Sequence, residues 1–483
     1  MNAPIEPYLK ILHKEIRNIA NAVSDDSCAA SLDLCQKILG SLLGEQGLAE
    51  GLQNNFLRGM AMLLDETCAA LADVQGGPLI SAQLVQHIRT RPDYARAERA
   101  LQECVRTLLT KKYSTALTVV TRINDLLARL HEDLYASVLR LDLPPETADQ
   151  GPTGNNSMER EKLEVYLRRK FAEPTDCRIR HLAEVYGGGS KRTIIATLTG
   201  ALHLPEKIVF RVDKSGYGSV VGSTVLDEYF IIEKMFAAGV PVPKPHLLEA
   251  SSDVLGAPFM VLDFIDGHTI GDWIYVTRPS RSFATQLAQA LARIHSVAVD
   301  GDVAARLSSG GDLVEQMRTS VLDFEKAWRL TGEPNIALEQ AYHWLKENVA
   351  YCQGRTAIIH GDAGCNNILA RNGYLMAILD WETATIGNPA QDLAYVRPAV
   401  TQMMEWQEFL SIYEAAGGVL PSQDELDFYE IWRCVFAMHW SLVARSYVNA
   451  EVSDGLIHAY GAQRIYQHIA RDLYVALENI LYQ

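Results

Sequence analysis

Apolar residues recur at steps of three and four along the first part of the chain. Leu9, Leu12, Ile16, Ile19 and Val23 form one face of an amphipathic helix, and Leu32, Cys35, Leu39 and Leu42 repeat the pattern. Further helical segments run around Phe56 to Leu71, over about Pro92 to Lys112, and through Leu117, Val120, Leu127, Leu130, Leu134 and Val138. Short connections between such segments predict an all-α helical bundle domain over residues 1–143. Strand alternation and internal repeats are both missing from this stretch.

The texture breaks at residues 144–157, where Pro144, Pro145, Gly151, Pro152, Gly154, Asn155 and Asn156 interrupt any period. That composition predicts a linker. Beyond it, Met158 to Phe171 reads as a helix, and short β-like runs follow at His181–Val185, Thr193–Thr199, Lys207–Val212 and Phe259–Phe264. Thr224 to Ala238 reads as a helix between two of them. From Phe283 onward helical periods dominate, broken by strands at Thr356–Ile359 and Leu375–Leu379. The prediction is an α+β region with a small strand-rich lobe over 158–266, a large helical lobe over 267–483, and a cleft between the two.

A chain of 483 residues exceeds what a single core usually supports, so several domains are expected. The formal net charge of −15 argues against a nucleic-acid binder. It would also repel an anionic substrate, so a nucleotide site would need local Lys or Arg groups and a metal to reverse the field. The N-terminus lacks the basic start and apolar core of a secretory signal, and no apolar run is long enough to span a bilayer. The 8 cysteines are scattered without a Cys-x-x-Cys pair, which reads as reduced thiols in a cytoplasmic protein.

The chemistry concentrates in His360-Gly361-Asp362-Ala363-Gly364-Cys365-Asn366-Asn367 and in Leu379-Asp380-Trp381-Glu382. An apolar strand, Ala357 to Ile359, feeds a tight loop, and a second strand delivers Asp380. Phosphoryl transfer needs such a set. One carboxylate accepts or orients the proton of the attacking hydroxyl, while an amide oxygen and a second carboxylate hold magnesium. Asp362 fits the first role, and Asn367 and Asp380 fit the second. His360 reads as a brace for the loop.

These motifs resemble the aminoglycoside phosphotransferase-like (phosphotransferase enzyme) family, which is related in fold to protein kinases. The His-Gly-Asp, the Asn five residues later and the second Asp about a dozen residues on stand in that family's order. Leu379 to Pro389, followed by Asp392-Leu393-Ala394-Tyr395, is similar to the kinase-like domains fused to some acyl-CoA dehydrogenases. The resemblance covers about residues 158–450 and implies a two-lobed protein-kinase-like fold, with ATP and magnesium as cofactors. It makes Phe259 to Gly267 the hinge strand, with the backbones of Asp263 and Ile265 meeting adenine. Arg211 takes the place of the phosphate-binding lysine, with Glu228 on the next helix as its partner, and Asp392 becomes a structural residue. Gly187, Gly188, Gly189 and Ser190 stand at the phosphate loop without the spaced Gly-x-Gly-x-x-Gly form, and Lys191 or Arg192 would add charge there.

Taken singly, each feature has a plainer reading. The glycines make a hairpin turn, Arg211 an exposed strand charge, Glu228 a helix surface, and Asp362 and Asp380 turns or caps. Their order along the chain favours a kinase-like phosphotransferase acting on a hydroxyl of a small molecule. A hydroxyacyl-CoA is the acceptor suggested by the resemblance, with an aminoglycoside or other small alcohol as the alternative. A non-catalytic pseudokinase and a nucleotidyl transferase are the rival readings. Trp406, Tyr413, Trp432, Trp440 and Tyr447 are open to an acceptor pocket or to core packing, and Arg397 and Arg445 to an anionic acceptor. The N-terminal bundle shows no chemistry and is open to capping the acceptor site, forming a homodimer or binding a partner protein.

Overall fold

The computed structural model describes residues 157–185, 191–213, 223–271, 276, 278–307, 312–449 and 455–481, together with Arg99, Gln102 and Arg106. The bundle expected over 1–143 and most of the linker expected at 144–157 lie outside the described residues. By internal contacts the chain parts into two compact units. Of the described residues, one contains those within 157–311 and 353–426; the other contains those within 312–352 and 427–481 with Arg99, Gln102 and Arg106. The span 267–483, expected as one helical lobe, is therefore shared between the two.

The first unit opens with helix α1 (Ser157–Phe171), followed by strands β1 (Arg178–Val185), β2 (Lys191–Thr199) and β3 (Lys207–Asp213). Helix α2 (Val225–Ala237) then precedes β4 (Pro245–Glu249) and β5 (Phe259–Asp263). The five strands form one antiparallel sheet in the order β1-β2-β3-β5-β4. The pleat sorts the side chains. Ile194, Ala196 and Leu198 of β2, Ile208, Phe210 and Val212 of β3, and Phe259 and Val261 of β5 pack with Leu163, Tyr166 and Leu167 of α1 in one core. Arg211 and Asp213 therefore stand on the opposite face, towards α2. Thr224 caps α2 through a capping box with Asp227, which fixes where this helix starts.

Beyond β5 the chain leads into a helical part built on β6 (His268–Thr269), α3 (Arg281–Ser296) and α4 (Gly301–Leu307). It continues after the other unit's α5 (Leu313–Thr331) and α6 (Ile336–Glu347). Next come β7 (Ala357–Ile359), β8 (Ile368–Arg371), β9 (Tyr374–Ile378), β10 (Thr385–Gly387), α7 (Ala390–Val400) and α8 (Trp406–Ala415). Strands β6, β8 and β9 form one small sheet, and β7 pairs with β10. The α+β character and the sheet-then-helices order agree with the expectation.

Four strands escaped the sequence reading. β6 and β10 are too short to show alternation, β8 is broken by a register shift, and β4 begins at a proline on the sheet edge. β1 and β2 begin earlier than expected, at Arg178 and Lys191, because charged residues carry their first pairs.

The second unit has α5 and α6 with the long helices α9 (Gln423–Asn449, counted from Asp427 here) and α10 (Gly455–Leu481). Trp328 stacks on Tyr342 at 5.6 Å, and Phe324 on Trp432 at 5.2 Å and on His439 at 3.7 Å. Buried Glu339 accepts from Gln102, Arg106 and Arg329, which hold its carboxyl down at about 2 against burial. Among the described residues no helix is long and apolar enough to cross a membrane.

Candidate functional site

Every site residue described here lies within the first unit. β7 is buried along its whole length and delivers His360, which is itself 0% exposed. The chain then turns sharply. Gly361 has φ of 81°, and a Cβ there would lie 2.6 Å from the carbonyl oxygen of Thr383, so only glycine fits without displacing backbone. Asp392 at the start of α7 closes the turn by accepting the backbone N–H of His360 and of Gly361, both at 2.8 Å.

The carboxylate of Asp392 also pairs with His295 Nε2 at 3.1 Å, and the hydroxyl of Tyr413 lies 2.8 Å from His295 Nδ1. Burial alone would raise the Asp392 carboxyl. The bonds from His295 and the loop amides outweigh it and hold the carboxyl below its ordinary value. Asp392 is fully buried, so its work is to shape the loop.

His360 braces the loop, as expected. Its Nδ1 accepts from the backbone N–H of Asp362 at 3.2 Å, which leaves Nε2–H to donate to the carbonyl of Leu379 at 2.9 Å. Burial lowers its pKa and keeps this tautomer neutral. The imidazole thereby ties the backbone of Asp362 to the residue before Asp380.

Asn367 donates its side-chain N–H to the backbone carbonyl of Asp362 at 2.9 Å and to Asp362 Oδ2 at 3.0 Å. Its backbone carbonyl accepts from the N–H of Leu379 at 2.8 Å, extending the β8–β9 pairing by one step. Asp380 follows in a left-handed conformation with φ of 64° and ψ of 62°, and a 3₁₀ turn, Trp381–Thr383, begins there. Asp362, Asn367 and Asp380 are thus brought to one point by two strand ends and one loop.

Arg211 reaches this point from β3. It forms a salt bridge with Glu228 at 2.9 Å and another with Asp380. Burial alone would lower Arg211, but the carboxylates of Glu228 and Asp380 outweigh it and hold the guanidinium charged. The pairing of Arg211 with Glu228 was expected; its bridge to Asp380 was not.

Burial pushes the Asp362 carboxyl up to about 7, with the charges of Asp380 and Glu382 adding to the rise and Tyr395 and Asn367 opposing it. Burial likewise pushes Glu228 up to about 7 against the pull of Arg211. Asp362 Oδ1 is a buried acceptor without a hydrogen bond. Among the described residues no group of three or more His, Cys, Asp or Glu encloses a metal position. The hard oxygen donors of Asn367 and Asp380 fit magnesium, which keeps waters and binds substrate phosphates rather than a complete protein cage.

Gly187, Gly188, Gly189 and Ser190 lie outside the described residues. Lys191 and Arg192, next to them, point to opposite faces of β2. Arg192 bonds Glu159 at 2.8 Å and Glu184 at 2.9 Å on the α1 side, and Lys191 turns towards α2. At the hinge, the N–H of Asp263 donates to Lys244 and that of Phe264 to Lys207, so the backbone group Asp263 has to offer is its carbonyl. Ile265 is the second residue beyond the strand, after Phe264.

Tyr413 is fully buried against His295 and Trp432 is almost so, which assigns both to core packing. Trp406 stacks on Phe409 with Arg397 over its ring. The side chains of Arg445 and Tyr447 lie outside the described residues. The sequence reading missed Glu382, Asp213 and the His295–Tyr413 pair. Glu382 stood in plain view two residues after Asp380, whereas the others needed the fold to bring them in.

Residues 223–430 match the phosphotransferase enzyme family. Acyl-CoA dehydrogenase family member 10 of Mus musculus is 31% identical over 196 residues, covering 39% of this chain and 18% of that protein. Family member 11 of Rattus norvegicus is 27% identical over 229 residues, covering 42% of this chain and 29% of that protein. The chain thus spans less than a third of either relative's length. A solved structure of a candidate aminoglycoside phosphotransferase from Ralstonia eutropha JMP134 shares the fold. Its TM-score is 0.50 at 17% identity, over 66% of this chain and 98% of that one. The family match thus falls on residues 223–430, and the solved structure shows that the chain shares its fold.

Proposed function

We propose that the chain transfers the γ-phosphoryl group of ATP to a hydroxyl of a small molecule. The observation that carries this is the convergence of Asp362, Asn367 and Asp380 with Arg211 reaching in from the sheet. The acceptor hydroxyl loses its proton to Asp362, whose pKa near neutrality suits a general base. A bond forms between the acceptor oxygen and the γ-phosphorus, the bond to the β,γ-bridging oxygen breaks, and ADP leaves. Arg211, fixed by Glu228, holds the nucleotide phosphates with a fork that matches their oxygens. The carbonyl of Asp263 and the amide of Ile265 hold adenine. Asn367 and Asp380 would hold magnesium, which would neutralise charge on those phosphates.

The acceptor class we propose is a hydroxyacyl-CoA thioester. Its support is the sequence similarity to acyl-CoA dehydrogenase family members 10 and 11. A pool of hydroxylated metabolites, containing hydroxyacyl-CoA thioesters and aminoglycosides, is incubated with the protein and ATP, and the products are read by mass. A gain of one phosphate on a thioester supports the proposal. A gain on an aminoglycoside alone overturns the acceptor class, and a gain of AMP overturns the reaction.

A further inference from the structure

We infer that Lys191 is a positioning residue of the phosphate site, holding the start of α2 and the Asp380–Glu382 turn in place from β2. The inference rests on the phosphotransferase reading above. Thr193 of β2 lies opposite Arg211 of β3, and Lys191 lies opposite Asp213. Period-two alternation therefore puts Lys191 on the same face as Arg211, one pair further along. Its side chain is buried, with the residue only 3% exposed, which lysine tolerates only with partners for its charge.

The partners lie on three different elements. Lys191 Nζ donates to the carbonyl of Ser223 at 2.7 Å, meets Asp213 Oδ1 at 3.3 Å, and stands 3.9 Å from Glu382 Oε2. Ser223 immediately precedes the cap of α2. The same Asp213 oxygen accepts the first amide of that helix, Val225 N–H, at 3.1 Å. One turn further on, the helix carries Glu228 to Arg211. Glu382 belongs to the 3₁₀ turn that begins at Asp380.

Two cations thus run side by side from the sheet to the helix and the turn. Arg211 links Glu228 with Asp380, and Lys191 links Ser223 with Glu382. Removing the Lys191 ammonium loosens the helix that aims Glu228 and the turn that carries Asp380. The loss falls chiefly on the metal-dependent part of nucleotide binding.

The test is titration calorimetry of the full chain with Mg-ATP and with ATP in a chelator. Lys191→Met is expected to weaken Mg-ATP binding by about tenfold or more and metal-free ATP binding by less than about threefold. Lys191→Arg, which keeps the charge, stays within about threefold of the wild type in both. Arg192→Met, whose side chain points the other way, changes neither. Where Lys191→Met does not fold, Asp213→Asn serves instead. It keeps an acceptor for Val225 and weakens the hold on Lys191, so it shifts Mg-ATP binding selectively by about threefold. Unchanged binding in Lys191→Met, or in Asp213→Asn where that variant replaces it, or equal losses with and without metal, overturns the inference. A wild-type chain that binds no Mg-ATP overturns the phosphotransferase reading itself.

Discussion

Arg211 of β3 is salt-bridged to Asp380, 169 residues further along the chain, while its other edge holds Glu228 of α2. One guanidinium therefore joins sheet, helix and the turn that carries the second acidic residue of the site. Glu228 is 1% exposed, so loss of Arg211 leaves a buried carboxyl without its partner. Arg211→Met is expected to cost about 3–5 kcal/mol of stability, read by denaturant unfolding. It should also lower kcat/KM by about 10²-fold or more, as loss of a phosphate-binding donor does. Arg211→Lys keeps the charge without the fork, so its activity should fall between the two.

Asp392 makes a different kind of prediction, because it shapes the loop from beneath. Asp392→Ala strips the acceptor from the amides of His360 and Gly361 and from His295, and should destabilise the fold by about 3–5 kcal/mol. The wild-type carboxyl is held below its ordinary value in the folded state. Its stabilisation is therefore complete above the pKa of the unfolded chain and fades as pH falls through the lower folded value. Asp392→Asn should flatten that acid limb of the stability profile, measured by thermal melts across acidic buffers.

Asp362 carries the opposite sign. Its folded pKa is raised to about 7, so the stability it contributes is present below the ordinary carboxylate value and is lost as pH rises through about 7. In the proposed function, Mg-ATP would favour the carboxylate form of the group. Below neutrality, binding should therefore release a proton, seen in calorimetry as a binding enthalpy that depends on the ionisation enthalpy of the buffer. Asp362→Asn should abolish that dependence. Proton uptake on binding would contradict the assignment of Asp362 as the titrating group.

The sequence showed the chemistry better than it showed the frame. Asp362, Asn367, Asp380, Arg211 and Glu228 were legible because they stand in a recognisable order along the chain. The bridge from Arg211 to Asp380 was not legible, since nothing in linear order says which carboxylate a strand cation will meet. Asp392 was expected to be structural, but its link to His295 and through it to Tyr413 was not legible, because that link exists only once α3, α7 and α8 pack. The strands β6 and β10 are too short to leave a periodic trace, and Pro245 masked the start of β4. Tyr413 and Trp432 at helical spacing fitted pocket and core alike until burial assigned them to the core.

The central claim is that Asp362 serves transfer of phosphate from ATP to an acceptor hydroxyl. The most direct test is ³¹P NMR of the full chain with Mg-ATP and hydroxylated acceptors, run on the wild type and on Asp362→Ala. The account predicts a new phosphoester resonance with matching ADP in the wild type. It predicts none in the variant, although the variant still binds nucleotide. Equal turnover by the variant, or an unchanged ATP spectrum from a wild-type chain that binds Mg-ATP in the presence of its acceptor, would contradict it.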